Sequence, residues 1–427
     1  MNDGLTTDDP RYRQMFDVGE EARFSSGRVE GDLTPAMNSL RERGAVLHGS
    51  LQTLLGIHAH DGQWDCERDH YTLTTWKHCE RAFRENLLFS SEAYLESPGV
   101  RSFGHSLLQM VGDEHRRYRG VVQPMFVKPK VISWWGPKLI HDAVESLMER
   151  LVGQERADLN LELCARLPVY VVTRMIGMQG ADALTFRHHL QRSTLGVRKL
   201  PESEVRASAL VVSTMLKDLI VRRRTEPAED VISALAHNDL KLPDGRVRKL
   251  TDDEVFGYCR LIMLAGGGTT WRQLGITLHA LLNDYRFWEA CRADRSLIAP
   301  AIEESTRWMP TDPVFTRLMT ADVDLDGIIV PSGARVDLCV GSANRDPQRW
   351  DDPDRYDLHR PAQYHVGFGL GPHQCLGQNV AKQEMICAIN ALMDRFPNMT
   401  LDPDQPAAVL QGGVHQRGMT AVPVRLV

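Results

Sequence analysis

Ten residues, Phe368-Gly369-Leu370-Gly371-Pro372-His373-Gln374-Cys375-Leu376-Gly377, constrain this chain more than any other stretch. They read as a glycine-punctuated loop that delivers one cysteine to the start of a helix over 377–393. Gly369 and Gly371 lack a Cβ, so the backbone can turn sharply and approach a flat macrocycle closely. Cys375 is placed where backbone N–H groups and the helix dipole favour a thiolate over a thiol. An anionic sulfur is a strong ligand for iron, and hydrogen bonds from its loop tune the metal. A lone Gly-x-x-x-Cys reads more simply as a buried thiol after a turn. The full string points away from that reading.

The rest of the chain is in keeping with one large enzyme domain. At 427 residues, 42% apolar and 25% charged, it has the make-up of a folded globular protein, and a net charge of −6 gives no reason to expect nucleic acid. The opening MNDGLTTDDPRYRQMFDVGEEARF has no basic segment followed by an apolar core, and no run of about 18 apolar residues. A cytoplasmic protein without a membrane anchor is the expectation. The cysteines at 66, 79, 164, 259, 291, 339, 375 and 387 contain no CxxC pair or zinc-type grouping, so most are expected to be buried free thiols. No internal repeat or linker marks a domain boundary. Residues 34–48 read as helix, and 50–57 and 70–74 as strands of a modest sheet. Helix periods follow at 113–126, 137–153, 163–177, 203–223, 251–283, 297–308 and 376–394, broken by turns such as Leu242-Pro243-Asp244-Gly245. Strand-like residues return between Arg317 and Val340.

The loop resembles the haem loop of the cytochrome P450 family, Phe-Gly-x-Gly-x-His-x-Cys-Leu-Gly, at every specified position from Phe368 to Gly377. Three further motifs appear in the family's order. Glu304 and Arg307 stand three apart in a helix, a spacing that puts carboxylate and guanidinium on one face. By itself the pair reads as a surface bridge worth about 0–1 kcal/mol. The resemblance implies a buried structural lock with a third partner among residues 344–360. Ala265-Gly266-Gly267-Gly268-Thr269-Thr270 puts three glycines inside a helix, where each costs about 1 kcal/mol against alanine. The plain alternative is a close helix crossing. The family likeness implies a groove for dioxygen, with Thr269 hydrogen bonding to it and Thr270 following. This chain departs from the family at Gly268, where the usual residue is Asp or Glu. His115 and Arg119, four apart on one helical face, match the family's His-x-x-x-Arg helix, and with Arg317 and His373 they are implied to hold the two haem propionates.

The resemblance covers roughly residues 100–395, Ala343-Asn344-Arg345-Asp346-Pro347 included. It implies a mainly α-helical triangular fold with small β-sheets, haem b lying between the Thr269 helix and the helix after Cys375. Residues 1–35 are expected to form a partly ordered extension and 36–427 a single domain. The implied activity is insertion of one oxygen atom from dioxygen into a small organic, largely apolar substrate. No fused redox module is apparent, so electrons are expected from a ferredoxin and its reductase, docking near Arg116, Arg117, Lys128 and Lys130. Substrate contacts are implied at 91–108, 180–200, 263–267, 311–315 and 412–415. Because Gly268 replaces the acid, peroxide-driven oxidation, oxidative coupling or a non-catalytic haem-thiolate sensor stay open. A haem-free protein with Cys375 as nucleophile is the remaining alternative.

Overall fold

The computed structural model describes residues 9–19, 29–57, 64–101, 104–178, 182–194 and 200–426. Its axis is the helix Asp252–Asn283, whose residues from Val255 to Leu282 are mostly buried. The start of this helix is fixed by a capping box: Thr251 Oγ1 accepts from the Glu254 N–H at 3.2 Å, and Glu254 Oε2 accepts from the Thr251 N–H at 2.7 Å. Glu254 Oε1 also accepts from the Tyr118 hydroxyl and from Arg248, both at 2.7 Å. Tyr118 belongs to the helix Gly112–Val122, so one carboxylate ties two helices together.

Around this axis pack Arg166–Met175, Glu202–Thr225, Ile298–Trp308 and Gln378–Arg395. Arg166–Met175 crosses it closely, for a Cβ added at Gly266 would lie 2.6 Å from Val172 Cγ1. At Gly266 the glycine therefore serves a helix crossing, not the groove expected from the motif. Within the stretch read as an extension, the helix Pro10–Met15 places Tyr12, Met15 and Phe16 in the main core, Phe16 edge-on to Trp271 at 5.8 Å.

The principal sheet has five strands in the order Val46–His48, His70–Leu73, Arg335–Cys339, Val314–Met319 and Phe89–Ser90, with the second and third parallel. Two expectations are corrected here. The helix read over 34–48 is Thr34–Arg43, because Gly44 turns the chain into the strand Val46–His48. The strand read over 50–57 is a helical turn, Leu51–Leu54, whose N–H groups are capped by Ser50 Oγ, 3.2 Å from the Thr53 nitrogen. The Leu242–Gly245 turn closes a hairpin between Asp239–Lys241 and Val247–Lys249.

Glu304 and Arg307 are buried, at 6% and 1% exposed. Arg307 Nε and Nη2 reach the two Glu304 oxygens at 2.7 and 2.8 Å, and Arg360 Nε reaches Glu304 Oε1 at 3.0 Å. Arg307 also donates to the carbonyls of Asn344 and Pro353 at 2.9 Å and of Arg355 at 3.2 Å. The third partner is thus Arg360. Removing the single carboxylate leaves two buried guanidinium groups unanswered, a change that typically costs about 3–5 kcal/mol. Glu304→Gln is expected to destabilise the protein by that order in urea unfolding followed by far-UV circular dichroism. Loss of less than about 1 kcal/mol would show the pair to be no stronger than a surface bridge.

Candidate functional site

The loop that carries Cys375 is a chain of tight turns. The Gly369 N–H donates to Val366 O at 2.9 Å, Gln374 N–H to Gly371 O at 3.1 Å, and Cys375 N–H to Phe368 O at 2.8 Å. Gly369 and Gly371 have φ of 65° and 69°, the left-handed region that side chains avoid. A Cβ at Gly371 would also stand 2.5 Å from the carbonyl oxygen of Phe83. The glycine is therefore demanded by backbone packing on the helix Trp76–Arg84 as well as by its torsion. Phe368 lies beneath Lys382, whose ammonium is 4.8 Å from the ring centre.

Arg119 grips this loop from the helix Gly112–Val122. Its Nη1 donates to Pro372 O at 3.0 Å and its Nη2 to Gln374 O at 2.7 Å, while Nε donates to Gln123 Oε1 at 3.0 Å. One turn earlier, His115 stacks on His373 with ring centres 4.0 Å apart. Arg317, on the strand Val314–Met319, lies over Phe83 and donates from Nη1 to Thr316 O at 2.9 Å. The structure thus brings His115, Arg119, Arg317 and His373 around Cys375, and no carboxylate pairs with any of the four among the described residues.

Three of these groups have a buried nitrogen without a partner: His115 Nε2, His373 Nε2 and Arg317 Nε. His115 falls to about 4, through burial and then the charge of Arg119. His373 falls to about 2, through burial and then the charges of His115, Arg317 and Arg119. Buried nitrogens without partners, on groups that no carboxylate pairs with among the described residues, call for an anion. The two propionates of a haem meet that demand, and the chemistry of the donor set fits the group. Cys375 itself retains an accessible surface at the head of the helix Gln378–Arg395. Burial by the surrounding protein pushes its thiol up, against the Gly377 N–H bonded to it and the charge of Arg119. The expected thiolate is therefore not secured by the helix terminus alone. Metal coordination is what deprotonates a thiol so placed.

On the long helix, Ala265 is exposed and Thr269 half-buried, although Gly267, Gly268 and residues 270–278 are buried. Thr269 Oγ1 donates to Ala265 O at 3.0 Å, and Arg272 Nη1 donates to Gly268 O at 2.6 Å. Thr270 turns into the core, 6% exposed. Three charged residues near this turn escape the motif reading: Arg187, Arg272 and Asp312. Parts of the 91–108 and 180–200 stretches lie outside the described residues.

Burial raises the Asp312 carboxyl to about 6, opposed by the charge of Arg272 and a hydrogen bond with Gln416. Because the folded protein holds this proton more tightly than the unfolded chain, Asp312 lowers stability progressively as pH rises from about 4 through 6. Asp312→Asn is expected to gain on the wild type across that window, by at most about 3 kcal/mol at pH 7. Thermal unfolding from pH 4 to 7 reads the difference; a flat difference would mean that Arg272 keeps Asp312 ionised throughout.

Comparison with known proteins agrees with this geometry. The family model described as "Cytochrome P450" matches residues 206–413. Cytochrome P450 107B1 of Saccharopolyspora erythraea is 31% identical over 75% of this chain and 77% of its own length. Cyclomarin C epoxidase CymV of Salinispora arenicola is 32% identical over 76% of this chain and 83% of its own. The crystal structure of CYP109E1 from Bacillus megaterium in complex with testosterone shares the fold, with a TM-score of 0.78 over 92% of this chain and 99% of that one, at 24% identity. With its cysteine loop, its buried Glu304–Arg307 pair and its likeness to these proteins over most of its length, the chain belongs to the cytochrome P450 family.

Proposed function

We propose that the chain binds haem b through Cys375 and inserts one oxygen atom from dioxygen into a small, largely apolar organic substrate. The observation that carries this reading is the cluster of His115, Arg317 and His373 beside Cys375, each with an unpartnered buried nitrogen. In this reading the three donate to the propionates, and Arg119, with one N–H left on each terminal nitrogen, joins them while keeping its grip on the loop. When bound, the haem supplies the oxygen-activating chemistry, and the protein supplies position and electrostatics.

Each remaining task falls to this chain's own groups. The Gly377 N–H bonded to Cys375 draws electron density from the sulfur and moderates its donation. Thr269 spends its proton on Ala265 O yet keeps two lone pairs, so its Oγ1 can accept a proton-bearing partner without leaving the helix. Ala265, exposed one turn earlier, leaves room for that partner. No carboxylate stands at position 268, so proton delivery there relies on water or on groups brought in with the substrate.

Electrons come in this reading from a separate ferredoxin and its reductase. Arg116, on the same helix as Arg119, and Lys128 are exposed and offer basic groups for docking, although Arg116 is partly answered by Asp113 at 2.9 Å. The lack of an acid at 268 favours a second reading, oxidation driven by peroxide. Product formed with hydrogen peroxide alone, and not with NADH, ferredoxin and reductase, would select it.

The test of the first reading is the absorption spectrum of the purified protein after reduction and carbon monoxide addition. A thiolate-ligated haem gives a main band far to the red of a histidine-ligated one, and Cys375→Ser should abolish that band. A protein that purifies without haem would overturn the proposal.

A further inference from the structure

The helix Asp182–Thr194 lays one side chain across the glycine tract of the long helix. Arg187 is 2% exposed, and none of its three guanidinium nitrogens has a hydrogen-bond partner among the described residues. Its Nη1 lies 3.2 Å from where a Cβ at Gly267 would stand, and its Nη2 lies 3.8 Å from a Cβ at Gly268. The one other atom within 4 Å of that Gly268 position, outside the adjoining backbone, is Arg272 Nη1 at 3.7 Å. A group seated over Gly268 would therefore touch two guanidinium nitrogens.

The two arginines differ in how their charge is answered. Arg272 donates to Gly268 O and faces Asp312, whereas Arg187 has neither a carbonyl nor a carboxylate. Burial lowers Arg187 only to about 10, so it stays charged at neutral pH. A buried guanidinium without an anion is a steep local cost. The motif usually carries an acid at position 268, where this chain has glycine. In this chain the guanidinium therefore faces glycine where the motif would put a carboxylate.

We propose that Arg187, seconded by Arg272, forms an anion subsite over Gly268 that takes the carboxylate of the ligand bound beside Thr269. This rests on the reading of that turn as the oxygen-side wall of the pocket. The substrate class it selects is an organic acid whose apolar part lies in the pocket, and the acid group absent from the motif arrives with the ligand. A free small anion acting as co-ligand shares the same chemistry.

The test compares acid and amide pairs, decanoate with decanamide and 4-phenylbutanoate with 4-phenylbutanamide, by calorimetric titration of the holoprotein. At least one acid should bind on the order of tenfold more tightly than its amide, as a charge-assisted hydrogen bond allows. Arg187→Leu should erase that preference while leaving the amide's affinity in place, and Arg187→Lys should keep part of it. If Arg187→Leu does not fold, Gly268→Asp serves instead, since a carboxylate on the chain should occupy the subsite and remove the preference. In parallel, sodium formate is added during thermal unfolding of wild type and variants. A saturable rise in Tm that depends on Arg187 would support the free anion as occupant, and its absence beside a preference for acids would support the substrate's own carboxylate. The idea is overturned if no acid outbinds its amide and formate has no Arg187-dependent effect, or if the preference survives Arg187→Leu. Haem content is read on every sample, so a haem-free protein that still prefers acids would overturn the proposed function and leave the subsite standing.

Discussion

The site depends first on how rigidly the backbone between Val366 and Gly377 is held. That segment contains two left-handed glycines and several tight turns, and such a path keeps one shape only if its neighbours over-determine it. They do so from both ends. At the start, the Val366 N–H donates to Asn344 Oδ1 at 2.9 Å, and Asn344 O accepts from Arg307. Near the cysteine, Arg119 bonds to the carbonyls of Pro372 and Gln374. Arg119 stands on a helix fixed to the cap of the long helix by the Tyr118–Glu254 hydrogen bond. The Glu304 network, the cysteine loop and the long helix are therefore mechanically one frame, although their motifs are far apart in sequence.

The electrostatics of the interior run opposite to those of the whole molecule. The chain carries a net charge of −6, yet His115, Arg119, Arg317 and His373, all cationic or able to become so, gather beside Cys375, with Asp312 acting on the sulfur in the opposite sense. Burial disfavours the charged form of the two histidines, and the like charges close by add to that, so both are held neutral. In the proposed reading this cluster is one half of a pair whose anionic half is the ligand. The thiol obeys a similar logic: burial and Asp312 oppose its ionisation, the Gly377 N–H, Arg119 and Lys382 favour it, and a metal would decide the balance.

What was legible in the sequence is what short strings encode. The cysteine loop, the Glu304–Arg307 spacing and the His115–Arg119 face are each contained within ten residues, so pattern alone locates them. Arg360 was located only to the range 344–360, and that by the family resemblance, because its contact with Glu304 spans 56 positions and no local period announces it. Elements went astray where a short cap outweighed side-chain alternation. Ser50 makes a helical turn of residues that alternate like a strand, and Gly44 ends a helix that apolar spacing carries on to 48. Arg187 could not be found by any such rule. Its helix, DALTFRHHLQRST, has several polar residues, and which of them is buried is decided by the helix packed beneath it.

The glycine tract shows how one motif can serve separate constraints at successive residues. At Gly266 a side chain is forbidden, because Val172 from the crossing helix already occupies its place. At Gly267 a Cβ would stand 3.2 Å from Arg187 Nη1, closer than ordinary contact, so glycine gives the guanidinium its berth. At Gly268 neither restriction holds, since a Cβ would have ordinary van der Waals contact with its neighbours. Sterics thus explain two of the three glycines and leave the third unaccounted for. Helix propensity argues against a third glycine by about 1 kcal/mol relative to alanine. What distinguishes position 268 is its surroundings: the nearest foreign atoms are guanidinium nitrogens, one of them on a side chain with no anion to meet. Glycine at 268 therefore relieves no steric conflict, and it leaves the buried Arg187 guanidinium without a neighbouring carboxylate.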